Sequence, residues 1–202
     1  MTNPIIGPIF KKCFAICREE TPEERRDRMD DKDRLNALEV ALNNEVRERH
    51  FYLKNAERTK NLLGKAMFNR IAIDELEHYE RLKELHEKWE KQEKWPESIP
   101  LTIKNTNIKD VLLNTIKDID KTAKADAGDL DAIRVAVDFE EKGAKFYAEL
   151  RDSSTNPKEK AFFDLLYMIE REHFMSLRDA EEYLTSPDTW FIKAEHHSMD
   201  GG

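Results

Sequence analysis

The sequence of 202 residues is poor in cysteine, glycine and proline, with 2, 6 and 7 of each. Two cysteines supply neither a disulfide framework nor the four thiolates of a rubredoxin or a zinc ribbon. A collagen-like chain needs far more glycine and proline than this. No run of about 18 apolar residues is present, so we expect no membrane span. A globular protein of a reducing cytoplasm is the expected class.

Basic charge is also scarce. The chain has 34 lysines and arginines against 42 aspartates and glutamates, a formal net charge of -8. Nucleic-acid binding normally requires a basic face, so we expect no nucleic-acid partner and look instead to cations or neutral small molecules. The remaining composition, 39% hydrophobic and 38% charged, favours long solvated helices in a single domain.

Helical periodicity fills the two proline-free stretches, from Pro22 to Pro96 and from Pro100 to Pro157. It predicts four long helices in two hairpins. The first helix covers about 33–60, the second ends near 94, the third covers about 129–152 and the fourth ends near 185. Turns are predicted at 61–64 and 153–157, and a short helix at about 110–119 within the long connection. The expected fold is all-α: a ferritin-like four-helix bundle of two repeated hairpins joined by a long crossover.

This bundle is expected to occupy residues 33–185. Residues 1–32 are interpreted as an N-terminal extension, and residues 186–202 as a C-terminal tail that packs partly on the bundle through Trp190, Phe191 and Ile192. Cys13 and Cys17 are either a redox-active pair or two small hydrophobic residues in a docking segment, and the second interpretation is favoured.

An internal repeat places polar residues in the apolar stripes of these helices. The first hairpin contributes Glu45, Tyr52, Glu75 and His78, and the residues 95 positions later are Glu140, Tyr147, Glu170 and His173. Two residues of an antiparallel hairpin lie level when the turn is midway between them. Glu45 and Glu75 average to position 60, beside the first predicted turn. The second hairpin gives position 155 in the same way, so the titratable side chains are expected to converge on one layer.

Four buried carboxylates repel one another unless a cation lies among them. Two divalent ions supply four positive charges against four glutamates, and two histidines add one neutral nitrogen ligand per ion. Oxygen-rich ligation of this kind suits iron or manganese better than structural zinc or calcium. The sequence therefore predicts a dinuclear metal centre.

At these residues the chain resembles the ferritin-like superfamily, and most closely its rubrerythrin or erythrin branch of non-haem di-iron carboxylate proteins. The resemblance rests on two glutamates that are each followed seven residues later by tyrosine, and on the motifs Glu75-Leu-Glu-His78 and Glu170-Arg-Glu-His173. It implies two iron ions (Fe2+/Fe3+), with manganese or a mixed pair as alternatives. The implied ligands are Glu45, Glu75, His78, Glu140, Glu170 and His173, and of these Glu75 and Glu170 bridge the metals.

The resemblance also implies an activity. We expect an oxidoreductase that reduces hydrogen peroxide, or dioxygen, with electrons from an external donor such as a rubredoxin. A ferroxidase that handles iron and a non-catalytic helical interaction module are the alternatives. We expect a homodimer.

Two features bear on details of the site. Rubrerythrins carry an extra glutamate where this chain has Gly143, and the matching position of the first half is Glu48. Glu48 is either an additional ligand or a solvated surface residue, and the sequence favours the second. Tyr52 and Tyr147 are expected either to hydrogen-bond a carboxylate or relay electrons, or to serve as ordinary core residues.

Overall fold

The computed structural model describes residues 31–92, 105–119 and 125–199. Within these ranges the chain forms six helices and no strand. They are α1 (Asp31–Arg58), α2 (Leu62–Gln92), α3 (Ile108–Asp118), α4 (Ala127–Ser153), α5 (Pro157–Thr185) and α6 (Pro187–Met199). Most of the N-terminal extension, with Cys13 and Cys17, lies outside the described residues. Parts of the crossover and the last three residues of the tail also lie outside them.

The predicted fold class is confirmed. The helices α1 and α2 form one antiparallel hairpin, α4 and α5 form the other, and α3 belongs to the crossover between them. Asparagines begin the second helix of each hairpin: the side chain of Asn61 accepts the Gly64 N–H at 2.9 Å, and that of Asn156 accepts the Lys158 N–H at 2.9 Å. These two residues are 95 positions apart, so the repeat includes the helix caps.

The core consists of two apolar clusters, one on each side of the layer that contains the titratable residues. Along α2 the first cluster includes five apolar residues between positions 63 and 72, and the second includes Leu82, Leu85 and Trp89. Glu75 and His78 lie between the two clusters. Residues related by the 95-residue repeat lie in opposite clusters: Phe68 is in the first cluster and its counterpart Phe163 is in the second. An internal two-fold axis therefore crosses the bundle at the polar layer.

Two shorter helices cover one end of the bundle. Helix α3 buries Ile108, Leu112 and Ile116 on a single face that packs against α2 and α5. Part of the predicted tail forms α6, a helix that the sequence did not indicate, and its Trp190 packs edge-on against Tyr183 with ring centroids 5.6 Å apart. No helix among the described residues combines the length and the apolar character needed to cross a bilayer.

Candidate metal centre

Six predicted site residues meet in the polar layer. Each of the four bundle helices contributes to it, and every one of the six side chains is at most 2% exposed. They are Glu45 from α1, Glu75 and His78 from α2, Glu140 from α4, and Glu170 and His173 from α5. The 3-residue spacing within α2 and α5 places glutamate and histidine on one helix face, as the motifs require.

These residues form two overlapping groups of four. Glu45, Glu75, His78 and Glu170 make up the first group, and Glu75, Glu140, Glu170 and His173 make up the second. Within each group one ligand atom per residue lies within 4.8 Å of all the others. Glu75 and Glu170 belong to both groups, so their carboxylates lie where a ligand that bridges two ions is needed.

Each histidine turns the same ring nitrogen towards the carboxylates. His78 Nδ1 lies 3.3 Å from an oxygen of Glu75 and 3.3 Å from an oxygen of Glu170. His173 Nδ1 lies 3.2 Å from Glu140 Oε2 and 3.7 Å from Glu75 Oε1. The two rings are stacked, with centroids 6.1 Å apart. The Nδ1 atoms are therefore the candidate nitrogen ligands.

Several oxygens of the layer are left without partners. Glu45 Oε2, Glu75 Oε1 and Glu170 Oε2 are buried and none of them is in a well-directed hydrogen bond with a described residue, although His78 Nδ1 lies 3.3 Å from Glu45 Oε2. Buried polar atoms without partners are rare in native proteins and point to a missing ion or water. Because the unpartnered atoms lie on the candidate ligands themselves, the residues present fit a pair of bound divalent ions.

The four glutamates of the layer form two pairs that differ in the direction of their pKa shifts. Burial raises the pKa of Glu75 well above its usual range, and the charges of Glu170 and Glu45 raise it further. Burial and the charge of Glu140 do the same for Glu170. Burial also opposes ionisation of Glu45, but hydrogen bonds from Glu75 and His78 outweigh it and lower the pKa. Burial likewise opposes ionisation of Glu140, but the charge of His173 helps to lower its pKa. Without metal, we therefore expect the two shared glutamates to hold protons and Glu45 and Glu140 to be anionic.

Both histidines are cationic in the metal-free site. Burial by itself lowers the pKa of an imidazole, but at His78 the hydrogen bonds to Glu170, Glu45 and Glu75 outweigh it and raise the pKa well above its usual range. At His173 the charge of Glu140 and the hydrogen bond to Asp74 outweigh burial and raise the pKa to about 10. Two imidazolium ions then balance two carboxylates, and the layer is formally neutral.

The two tyrosines connect the halves of the site. The Tyr52 hydroxyl donates to Glu140 Oε1, and the Tyr147 hydroxyl donates to Glu45 Oε1. Each hairpin thus supplies the tyrosine that bonds the other hairpin's carboxylate. Burial, followed by the charge of the bonded glutamate, raises the pKa of both tyrosines, so they remain neutral donors. Of the expected roles, the structure shows the hydrogen bond to a carboxylate. It fixes one oxygen of Glu45 and one of Glu140, while the second oxygen of Glu45 faces His78 and that of Glu140 faces His173.

Asp74 was missed by sequence reasoning, although it directly precedes Glu75. Its Oδ2 lies 3.0 Å from His173 Nε2, the nitrogen that faces away from the carboxylates. Asp74 is itself held by an ion pair with Arg70 and by the Thr106 hydroxyl at 2.6 Å. A carboxylate in this position orients a ligating imidazole and fixes its tautomer. The crossover segment that carries Thr106 therefore supports the second group of four.

The repeat does not extend to this support. The residue 95 positions after Asp74 is Ile169, which is 3% exposed and has no polar side chain to offer. The contact of Asp74 with His173 therefore has no equivalent at His78 from position 169. The two halves thus share their candidate ligands and differ in what orients the imidazole.

Replacing Asp74 by alanine is expected to weaken metal binding by about 10- to 100-fold at one of the two positions, because the bond that orients His173 is lost. Titration with cobalt(II) against a competing chelator should then resolve one weakened and one unchanged site. Ile169→Val, a change at the matching position of the repeat, is the control and should bind both ions as the wild type does. Two unchanged sites in Asp74→Ala would contradict an orienting role.

Glu48 on α1 and Gly143 on α4 lie next to the polar layer. Glu48 is half-buried, which corrects the favoured interpretation of a solvated surface residue. Burial, together with the charges of Glu45, Glu140 and Glu170, raises its pKa to about 10. A Cβ added at Gly143 would lie 3.4 Å from Glu170 Oε2, so glycine leaves this carboxylate room against the α4 backbone.

In a comparison with protein-family models, the model of the rubrerythrin family matches this chain over residues 36–181. No curated protein and no solved structure matches significantly. The matched range contains all six candidate ligands and both tyrosines of the polar layer. The family suggests a di-iron carboxylate protein with oxidoreductase activity, and its members typically bind iron. The fold and the buried layer of glutamates and histidines are consistent with this match, and the chain belongs to the rubrerythrin family.

Proposed function

We propose that this protein is a non-haem di-iron oxidoreductase that reduces hydrogen peroxide, or dioxygen, with electrons from an external donor. The observation that carries the proposal is the pair of four-residue groups sharing Glu75 and Glu170. Two ions bound by groups that share two carboxylates would be close enough to act on one small substrate together. Two ferrous ions supply the two electrons that, with two protons, convert one hydrogen peroxide molecule to two water molecules.

The protein's own residues hold the ions and set their surroundings. Glu45 and Glu140 are the terminal carboxylates, and each has one oxygen fixed by the tyrosine of the opposite hairpin. Each shared carboxylate has one oxygen without a hydrogen-bond partner among the described residues, which would leave that oxygen available to a bound ion. Apolar clusters on both sides keep bulk water out of the layer. This combination supports the stabilisation of more than one oxidation state.

The proposed activity requires an electron donor, and it implies a compartment and an assembly. An external donor such as a rubredoxin returns the centre to its reduced state, and a role in oxidative stress follows from peroxide as the substrate. With only two cysteines in the sequence, the cytoplasm is the proposed compartment. A homodimer is supported by four exposed large apolar side chains on α2 and α5, namely Ile73, Leu76, Met168 and Met175.

Stopped-flow mixing of the reduced protein tests the activity. The absorbance of the oxidised centre should appear at least about 10-fold faster with hydrogen peroxide than with an equal concentration of dioxygen. Equal or reversed rates would contradict a peroxidase. Oxidation of added Fe(II) should stop near two irons per chain, and continued turnover beyond that number would instead support a ferroxidase.

A further inference from the structure

A cavity of about 210 Å³ opens between α1 and α4 beside the metal centre. Its lining consists of Asn44, Arg47, Glu48, Phe139, Lys142 and Gly143. Arg47 and Lys142 are exposed at the mouth, and the other four residues are half-buried. Nothing in the site described above uses this cavity, which we call the axial cavity.

The axial cavity lies on the internal two-fold axis. Its three residues from α1 are at positions 44, 47 and 48, and its three from α4 are at 139, 142 and 143. Each of the second set follows its counterpart by 95 residues, the offset that relates the two halves of the metal centre. A cavity lined by both members of three equivalent pairs surrounds the axis, so it is centred over the layer where the shared carboxylates meet.

Gly143 lies between the cavity and the centre. Gly143 lines the cavity, and a Cβ built on it would point to within 3.4 Å of Glu170 Oε2. That oxygen is buried and has no hydrogen-bond partner among the described residues. The cavity is therefore bounded by a residue that packs against an unpartnered oxygen of Glu170, a carboxylate shared by both groups of four.

The lining favours a small polar molecule. It offers a carboxyl group on Glu48, an amide on Asn44 and two cationic side chains at the mouth. Hydrogen peroxide both donates and accepts hydrogen bonds, so it can pair with such groups, whereas dioxygen gains almost nothing from them. A volume of about 210 Å³ also lies below the range of about 300 to 1,000 Å³ that is typical of pockets for drug-sized ligands.

We propose that the axial cavity admits hydrogen peroxide to the metal centre and holds it there, with Glu48 and Asn44 as its hydrogen-bond partners. This inference rests on the proposed peroxidase function, and it adds the route and the groups that bind the substrate. Gly143 keeps the route open, and Phe139 provides an apolar wall on the side opposite Asn44.

Asn44→Phe tests the route. The variant has phenylalanine at both members of the pair 44 and 139, so the cavity should be filled while all six candidate ligands are retained. The matched control is Asn43→Phe, the same change at the neighbouring exposed position. With iron content equal in all three proteins, Asn44→Phe should slow oxidation by peroxide at least about 10-fold, and Asn43→Phe should react as the wild type does.

Binding of azide to the oxidised iron-loaded protein provides a readout apart from activity. Its dissociation constant, followed by visible absorption, should rise at least about 10-fold in Asn44→Phe and stay unchanged in Asn43→Phe. Wild-type rates and wild-type azide affinity in Asn44→Phe would overturn the axial cavity and leave the proposed function standing. A wild-type protein that holds iron and binds azide but does not consume peroxide would overturn the proposed function itself.

Glu48→Leu tests the binding group separately and covers the case in which Asn44→Phe does not fold. Leucine has a similar size and no hydrogen-bonding group, so peroxide oxidation should slow about 10-fold at unchanged iron content, while Glu48→Gln should retain most of the rate. Loss of iron in Glu48→Leu would make Glu48 a metal ligand and overturn its assignment as a group that holds peroxide.

Discussion

The double variant Glu75→Gln/Glu170→Gln is expected to fold as the metal-free wild type does and to lose its metal, from about two irons per chain to below about 0.2. Both residues belong to both groups of four, so neither ion position keeps its bridging carboxylates. Glutamine is the appropriate replacement because these two glutamates are the protonated ones in the metal-free layer. A neutral amide therefore replaces a neutral carboxyl group of nearly equal shape.

Plasma mass spectrometry on protein produced with iron available measures the loss, and circular dichroism with thermal melting shows that the bundle is intact. Glu84→Gln, a partly exposed carboxylate on α2 that pairs with Lys88, is the control and should keep its full iron content. Iron retained in the double variant would place the metal elsewhere, and the oxidoreductase proposal would fall with it.

Loading the centre with two divalent ions is expected to release about four protons per chain near pH 7. In the metal-free layer, protons are held by the two shared glutamates and by both histidines, whose pKa values are all raised. Metal ligation requires ionised carboxylates and neutral Nδ1 atoms. The layer stays formally neutral throughout, because each ion with two positive charges displaces two protons.

The sign of the pH dependence follows from this exchange. Since the metal-free state binds more protons, acid favours it, and each ion's dissociation constant should rise about 100-fold for every pH unit below neutrality. Calorimetric titration with zinc or cobalt(II) in buffers of different ionisation enthalpy counts the protons. A count near zero would mean that the glutamates are already ionised without metal, against the raised pKa values.

The sequence predicted the bundle and the convergence of its polar residues because both follow from periodicity. Core positions recur every three or four residues, and one offset of 95 residues relates the hairpins, so the midpoint of each pair identified the turns at positions 59–61 and 154–156. Helix boundaries differed by a few residues because caps such as Asn61 decide where a helix begins.

What escaped prediction depends on contacts between segments far apart in the chain. Asp74 orients His173 across the bundle, and Thr106 reaches Asp74 from the crossover, so neither contact leaves a local pattern. Glu48 looked like one more charged residue on a charged helix, and only the packing of α4 with Gly143 reveals its place beside the centre. The assignment of the six side chains as metal ligands stays a prediction until the metal content is measured.

Joining the two hairpins in one chain removes a restriction that a dimer of identical hairpins would obey. Strict two-fold symmetry would place glutamate opposite glutamate, or glycine opposite glycine, at the axis. Here Glu48 and Gly143 line the same cavity. One half therefore contributes a hydrogen-bonding carboxyl group, and the other contributes a residue without a side chain. Because the hairpins are covalently linked, the two halves can keep identical candidate ligands and still differ in the residues that line the cavity and in those that orient the imidazoles.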